Sequence, residues 1–172
     1  TVAWQVLATT LIQAGDARAA LPAVQKVMAA DPFRAMLYSH LAETIARGGD
    51  GRAALEAAQK LLESIGLGDI DAARAAAALD EAIEIAPDYG MPYLLLALQR
   101  FGDREVEAAL SLAKQAFARD SLVAGLWAPA FRALFEFPDA DAARVELERL
   151  EGMGIDVPAP LLLRLRELEA AR

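Results

Sequence analysis

The chain has 172 residues, 56% of them apolar and 24% charged, which suits one substantial core or a stack of small units and argues against disorder. A net charge of −8 and a pI near 4.7 lack the basic footprint needed to neutralise phosphates, so nucleic acid is not expected as a partner. With no cysteine and no apolar run approaching the ~20 residues of a membrane helix, disulfides, thiolate metal sites, cysteine nucleophiles and membrane insertion are not expected either.

Alanine supplies much of the apolar share, Val, Ile and Thr are sparse, and no alternating strand-like run stands out, so the chain reads as all-α. The first unit is a helix over about 2–14, a Gly15-Asp16 turn with Asp16 as cap, and a second helix to about Ala30, bent at Pro22 and closed by Pro32. The second has helices near 35–47 and 51–64, parted by Gly48-Gly49-Asp50. Ile65-Gly66-Leu67-Gly68-Asp69 then reads as a flexible turn. The helix from about Asp71 to Ala86, with Ala75, Leu79 and Ala82 facing inward, has the character of a second helix of a repeat. Its cap Asp71 follows Asp50 by only 21 residues. Either a first helix is missing here or helix 51–64 serves both neighbours.

A third unit reads Tyr93-x2-Leu96-Ala97, a Gly102-Asp103 turn that arrives about two residues early, and Ala109, Ala113 and Ala116 on the next helix. The last reads Trp127-x2-Ala130-Phe131-x2-Leu134, with Pro138-Asp139 in place of Gly-Asp, then Ala143 and Leu147. Pro129 is expected to start a helix near Ala128 or to kink one. Leu161, Leu162, Leu165 and Leu168 give the final segment one apolar face, with Arg164, Arg166, Glu167 and Glu169 toward solvent, the pattern of a capping helix.

Trp4-x2-Leu7-Ala8-x2-Leu11, Gly15-Asp16, Ala20 and Val24 recur as Tyr38-x2-Leu41-Ala42-x2-Ile45, Gly49-Asp50, Ala54 and Ala58. Gly15 and Gly49 lie 34 residues apart, the period of a helix-turn-helix repeat. These residues resemble the tetratricopeptide repeat, with Ala8 at its glycine, Leu11 at its tyrosine, Val24 at its phenylalanine and Pro32 at its closing proline; Gly66 stands where the second closing proline belongs. The resemblance covers roughly 1–150. It implies a right-handed α-solenoid of antiparallel helix pairs with about ten helices: two regular repeats over 1–66, an irregular half repeat over 67–87 with the junction near 60–71, a repeat over 88–121, a divergent one over 122–155 and a cap over 156–172. The stretch from Leu126 to Leu134 is also similar to closing repeats of helical arrays on bacterial signalling and transcription regulators.

No reacting constellation is visible. Glu146/Glu148, Asp139/Asp141 and Glu105/Glu107 are two residues apart and do not share a helix face. His40 is the only histidine and has no cysteine to join it in a metal site. Gly48-Gly49 and Gly66-x-Gly68 match no phosphate-binding fingerprint, and Ser39, Ser64, Ser111 and Ser121 lack a nucleophile-elbow motif. No catalytic, cofactor or metal residue is therefore expected.

The resemblance places a partner-binding concave groove on the first helices, with Gln5, Thr9, Ile12 and Gln13, then Met36, Ser39, Glu43 and Arg47, then Met91, Leu94, Leu98 and Phe101 as candidates, and Val2 beside them. The Lys and Asn with which some members of the family clamp a carboxylate are absent at Gln5, Thr9, Ser39 and Glu43. The apolar, Met-containing surface suits an amphipathic helix or an extended segment. Packing of Leu94, Leu98 and Phe101 on neighbouring helices is the alternative.

The expected function is a non-enzymatic scaffold for a protein or peptide partner. The alternatives are a substrate-recruiting accessory domain of a larger enzyme, such as a glycosyltransferase or methyltransferase, or a self-association domain of a bacterial regulator. Starting at Thr1, the chain reads as a fragment of a larger protein, with the cytoplasm favoured and the periplasm open.

Overall fold

The computed structural model describes residues 2–30, 32–67 and 71–171. Among these there are ten α-helices and no strand: α1 (Val2–Gln13), α2 (Ala17–Met28), α3 (Pro32–Ala46), α4 (Gly51–Leu67), α5 (Ala72–Ile85), α6 (Gly90–Gly102), α7 (Val106–Arg119), α8 (Ser121–Phe131), α9 (Ala140–Gly152) and α10 (Ala159–Ala170). A π-helical turn, Arg132–Glu136, continues α8. Each helix packs on the next in sequence from α1 to α10; α1 also reaches α4, α3 reaches α8, and α10 folds back on α6 and the π turn. None is long and apolar enough to cross a membrane.

Local chemistry explains where the helices start. Asp16, Asp50, Asp71, Asp120 and Asp139 each accept hydrogen bonds from backbone N–H groups two or three residues on. Such a cap contributes about 1 kcal/mol. Asp16 and Asp50 are 34 residues apart, and so are Asp71, Glu105 and Asp139. Glu105 occupies the same place before α7 without a side-chain capping bond.

The same spacing runs through the core. Four residues after these positions lie Ala20, Ala54, Ala75, Ala109 and Ala143, all buried, and seven further on lie Val27, Leu61, Ala82, Ala116 and Leu150, all fully buried. Small residues at the first position let the backbones approach closely. Thus α2, α4, α5, α7 and α9 share one register, and α4 packs directly on α5 while also touching α3. No helix intervenes between α4 and α5 among the described residues. Ile65, Gly66 and Leu67 belong to α4 rather than to a turn, whereas Gly68 and Asp69 lie outside the described residues.

Four helices end alike. After α1, α3, α6 and α9 a residue adopts positive φ: Gly15 (+89°), Gly48 (+75°), Arg104 (+64°) and Gly154 (+77°). In each case the following N–H reaches back five residues, from Asp16 to Leu11, Gly49 to Thr44, Glu105 to Arg100 and Ile155 to Leu150, at 2.9–3.1 Å. These are Schellman ends, which glycine fills without a Cβ penalty. The third turn therefore pivots on Arg104, not on Gly102-Asp103; Gly102 is still helical. At that position an arginine costs roughly 1–2 kcal/mol relative to a relaxed backbone.

Pro129 neither starts α8 nor displaces its beginning to Ala128. Asp120 caps the helix at Leu122 and Val123, and α8 carries Pro129 inside it. The backbone widens just beyond, into the π turn, where the Phe137 N–H bonds to the Arg132 carbonyl at 2.8 Å. Proline removes an i→i−4 donor, and a wider turn restores pairing past that gap.

Burial of the large repeat residues depends on the helix before them. Tyr38, Tyr93 and Trp127 are buried, with α2, α5 and α7 packed ahead of their helices. Trp4, on the first helix, is 42% exposed, and Leu7 is exposed with it. The repeat pattern places both in packing positions, but no described helix precedes α1 to cover them.

Candidate functional site

The groove candidates do not form one surface. Ile12, Met36, Ser39, Met91, Leu94 and Phe101 are buried, because an alanine-rich stack needs its large side chains to fill the space between helices. Met36 accepts from the Trp127 indole at 3.4 Å, and Ser39 donates to the Asp120 carboxylate at 3.3 Å. Gln13, Glu43 and Arg47 are exposed, the last two paired with each other at 3.2 Å. Gln5 and Thr9 are half-buried, and the Gln5 amide donates to the Tyr38 hydroxyl. Half-buried Leu98 joins Met36, Met91 and Trp127 around a cavity of about 360 Å³ closed by the segment from Gly154 to Pro158.

A small polar cavity of about 110 Å³ lies beside His40, with Glu43, Asp88, Arg119 and Asp120 around it. His40 stacks on Tyr89 at 4.9 Å, and its Nε2 is 3.4 Å from the Thr44 hydroxyl. Burial lowers its pKa, with Arg47 adding to the effect and Asp88, Asp120 and Glu43 opposing it. Asp120 is committed to capping α8 and to Ser39. Because the folded state disfavours the protonated imidazole, the His40 contribution is complete above its ordinary pKa and is lost as pH falls toward the lowered one. Thermal melts between pH 7.5 and 5 are therefore expected to fall less steeply in His40→Gln than in the unaltered chain. Parallel curves would show that His40 does not couple to folding.

The more open site is a cleft of about 560 Å³ between the C-terminal end of α6, the start of α7, the π turn and α10. Its wall is aromatic: Phe101 stacks on Phe135 at 4.5 Å and meets Phe131 at 5.7 Å, which in turn meets Phe117 edge-on at 5.4 Å. Val106 and Leu163 stand at its rim, 44% and 48% exposed. Arg164 pairs with Glu167 at 3.1 Å and donates to the Leu134 carbonyl at 3.3 Å. Arg104 and Arg166 line the cleft with no ion-pair partner among the described residues.

A second apolar patch lies on the other part of the π turn and on α9. Phe137 (69% exposed) and Val145 (61%) stand out from it, with Asp139, Asp141, Glu146 and Arg132 around them. Of the residues in these two sites, only Phe101 was a partner-binding candidate from the sequence. Nothing in the local pattern marks Arg104, since its special backbone angle appears only once α6 ends two residues later than its glycine suggests.

Among the described residues no group of three His, Asp or Glu side chains converges as a metal-ligand set. No protein-family model, no curated protein and no solved structure matches this chain.

Proposed function

We propose that this chain is a non-enzymatic helical-repeat scaffold, a right-handed tetratricopeptide-like solenoid of antiparallel helix pairs, that binds a protein partner. The observation that carries this reading is that, besides Val2, Trp4, Val6 and Leu7 on the uncharged α1, exposed apolar side chains gather among charged groups at two neighbouring places. Val106 and Leu163 rim one cleft, and Phe137 and Val145 crown a neighbouring patch. Contiguous apolar surface rimmed by charge is the signature of a protein contact rather than of a solvated face. The 34-residue recurrence of caps and buried alanines supports the repeat architecture. The binding surface in this reading is the terminal cleft and not the row of first-helix residues, half of which are committed to the core.

Crosslinking with mass-spectrometric mapping on the intact protein is the test. Crosslinks to another polypeptide chain that map near α6, α9 and α10 are expected. Retention of a small molecule with no polypeptide attached would overturn the reading.

A further inference from the structure

We propose that the cleft beneath α10 is filled by the Phe137 patch of a second copy of this chain, an inference that rests on reading the stack as a protein-binding surface. The two surfaces complement each other in charge. The cleft is an aromatic-walled hollow lined by three arginines and one glutamate, Arg104, Arg164, Arg166 and Glu167. The patch projects a phenylalanine among three carboxylates and one arginine, Asp139, Asp141, Glu146 and Arg132. In a chain of net charge −8, a rim with excess positive charge runs against the bulk composition and marks a place where anionic groups are received.

Phe137 fits the role of an anchor. It follows the π turn at a position where the chain leaves the helix, it is the most exposed aromatic side chain among the described residues, and only Arg132 lies over its ring, at 5.8 Å. Aromatic side chains seated in a pocket and ringed by charge are the usual centres of protein interfaces. With Phe137 inserted beside Phe101 and Phe135, the flanking carboxylates, of which Asp141 pairs with Arg144 at 3.5 Å and Glu146 with Arg149 at 2.7 Å, turn their remaining acceptor positions to Arg104 and Arg166, the two cleft guanidiniums with no ion pair among the described residues. A guanidinium fork suits a carboxylate bidentately.

Arg104 supplies an independent indication. The other three Schellman ends in this chain use glycine at the positive-φ position. The fourth holds an arginine against a backbone penalty, and that arginine lines the cleft. Strain retained at one of four equivalent turns points to a role for the side chain outside the fold itself.

The test is light scattering and sedimentation of the whole chain, from micromolar to near-millimolar concentration and from low to high salt. The mass is expected to rise with concentration and to fall back with salt. Phe137→Ser and Arg104→Gly/Arg166→Ala are each expected to weaken association at least about tenfold, as loss of a central anchor or its charge partners does. Arg104→Gly relieves the turn, so its melting temperature is expected to rise, which separates lost association from lost folding. A concentration-independent protomer mass overturns the proposal; if crosslinking still finds another polypeptide on the cleft, the scaffold reading stands alone. Association that survives both variants overturns it too, placing the contact elsewhere, such as on the uncharged α1.

Discussion

Gly90→Ala is expected to lower stability by about 2–3 kcal/mol, the range of an overpacked contact, although the same change at an open helical position raises it. Gly90 begins α6 at its closest approach to the α7–α8 junction. A Cβ added there would stand 2.4 Å from the Asp120 Cβ and 2.6 Å from the Ala116 carbonyl oxygen. Neither neighbour is the free end of a flexible side chain: one is backbone, and the other belongs to the buried cap of α8. The helices must separate, and the Asp120 cap and its bond to Ser39 move with them. Gly125, inside α8, is the control, because nothing lies within 4 Å of its added Cβ. Gly125→Ala is expected to stabilise by roughly 0.5–1 kcal/mol. Denaturant titrations should show opposite shifts in midpoint for the two variants with similar slopes. Equal shifts would mean that α6 does not sit this close to α8.

Tyr89→Ala is expected to cost about 3–5 kcal/mol, as truncation of a large buried aromatic does. Tyr89 is wholly buried, stacks on His40, and donates from its hydroxyl to the Leu37 carbonyl at 2.6 Å. Burial, followed by the charge on Asp120 and the influence of Tyr38, holds the phenol well above its ordinary pKa, so it remains a donor throughout the accessible pH range. Tyr89→Phe keeps the volume and loses only that bond, and is expected to cost about 1–2 kcal/mol. Against a total stability of roughly 5–15 kcal/mol for a domain, the alanine variant should melt far below the phenylalanine one. Similar melting temperatures for the two would show that the ring is not part of the core. Tyr89 links α3 to the start of α6 across 52 residues of chain, and Gly90 follows it immediately. Tyr89 thus ties the start of α6 to α3, while Gly90 sets how closely α6 lies on the α7–α8 junction.

Most of the helical framework was legible in the amino-acid order. Aspartates at Asp16, Asp50, Asp71 and Asp139 announce helix starts, and alanines four residues later announce close packing, because capping and the 3.6-residue period act within one or two turns. The direct packing of α4 on α5 was foreshadowed by the 21-residue gap between Asp50 and Asp71, which left room either for a lost helix or for α4 serving both neighbours. The C-terminal leucines of α10 likewise marked their own buried face.

Which large side chains would face solvent was not legible. Trp4 and Tyr38 have the same local pattern, yet one is largely exposed and the other buried, since only α3 has a helix packed ahead of it. Met36 looked available for a partner and instead fills the interior, as does Leu94, for which packing was the alternative reading, while Val2, Val6, Val106, Phe137, Val145 and Leu163 are among the exposed apolar side chains. The cleft itself joins Phe101 to Leu163 and Arg166, residues brought together by α10 folding back on α6. By itself the sequence determined where helices begin and which positions must be small, because those demands are met by backbone groups and side chains a few residues away. Only the tertiary structure decided what lies on each helix's far face, because that depends on the helix that arrives to cover it.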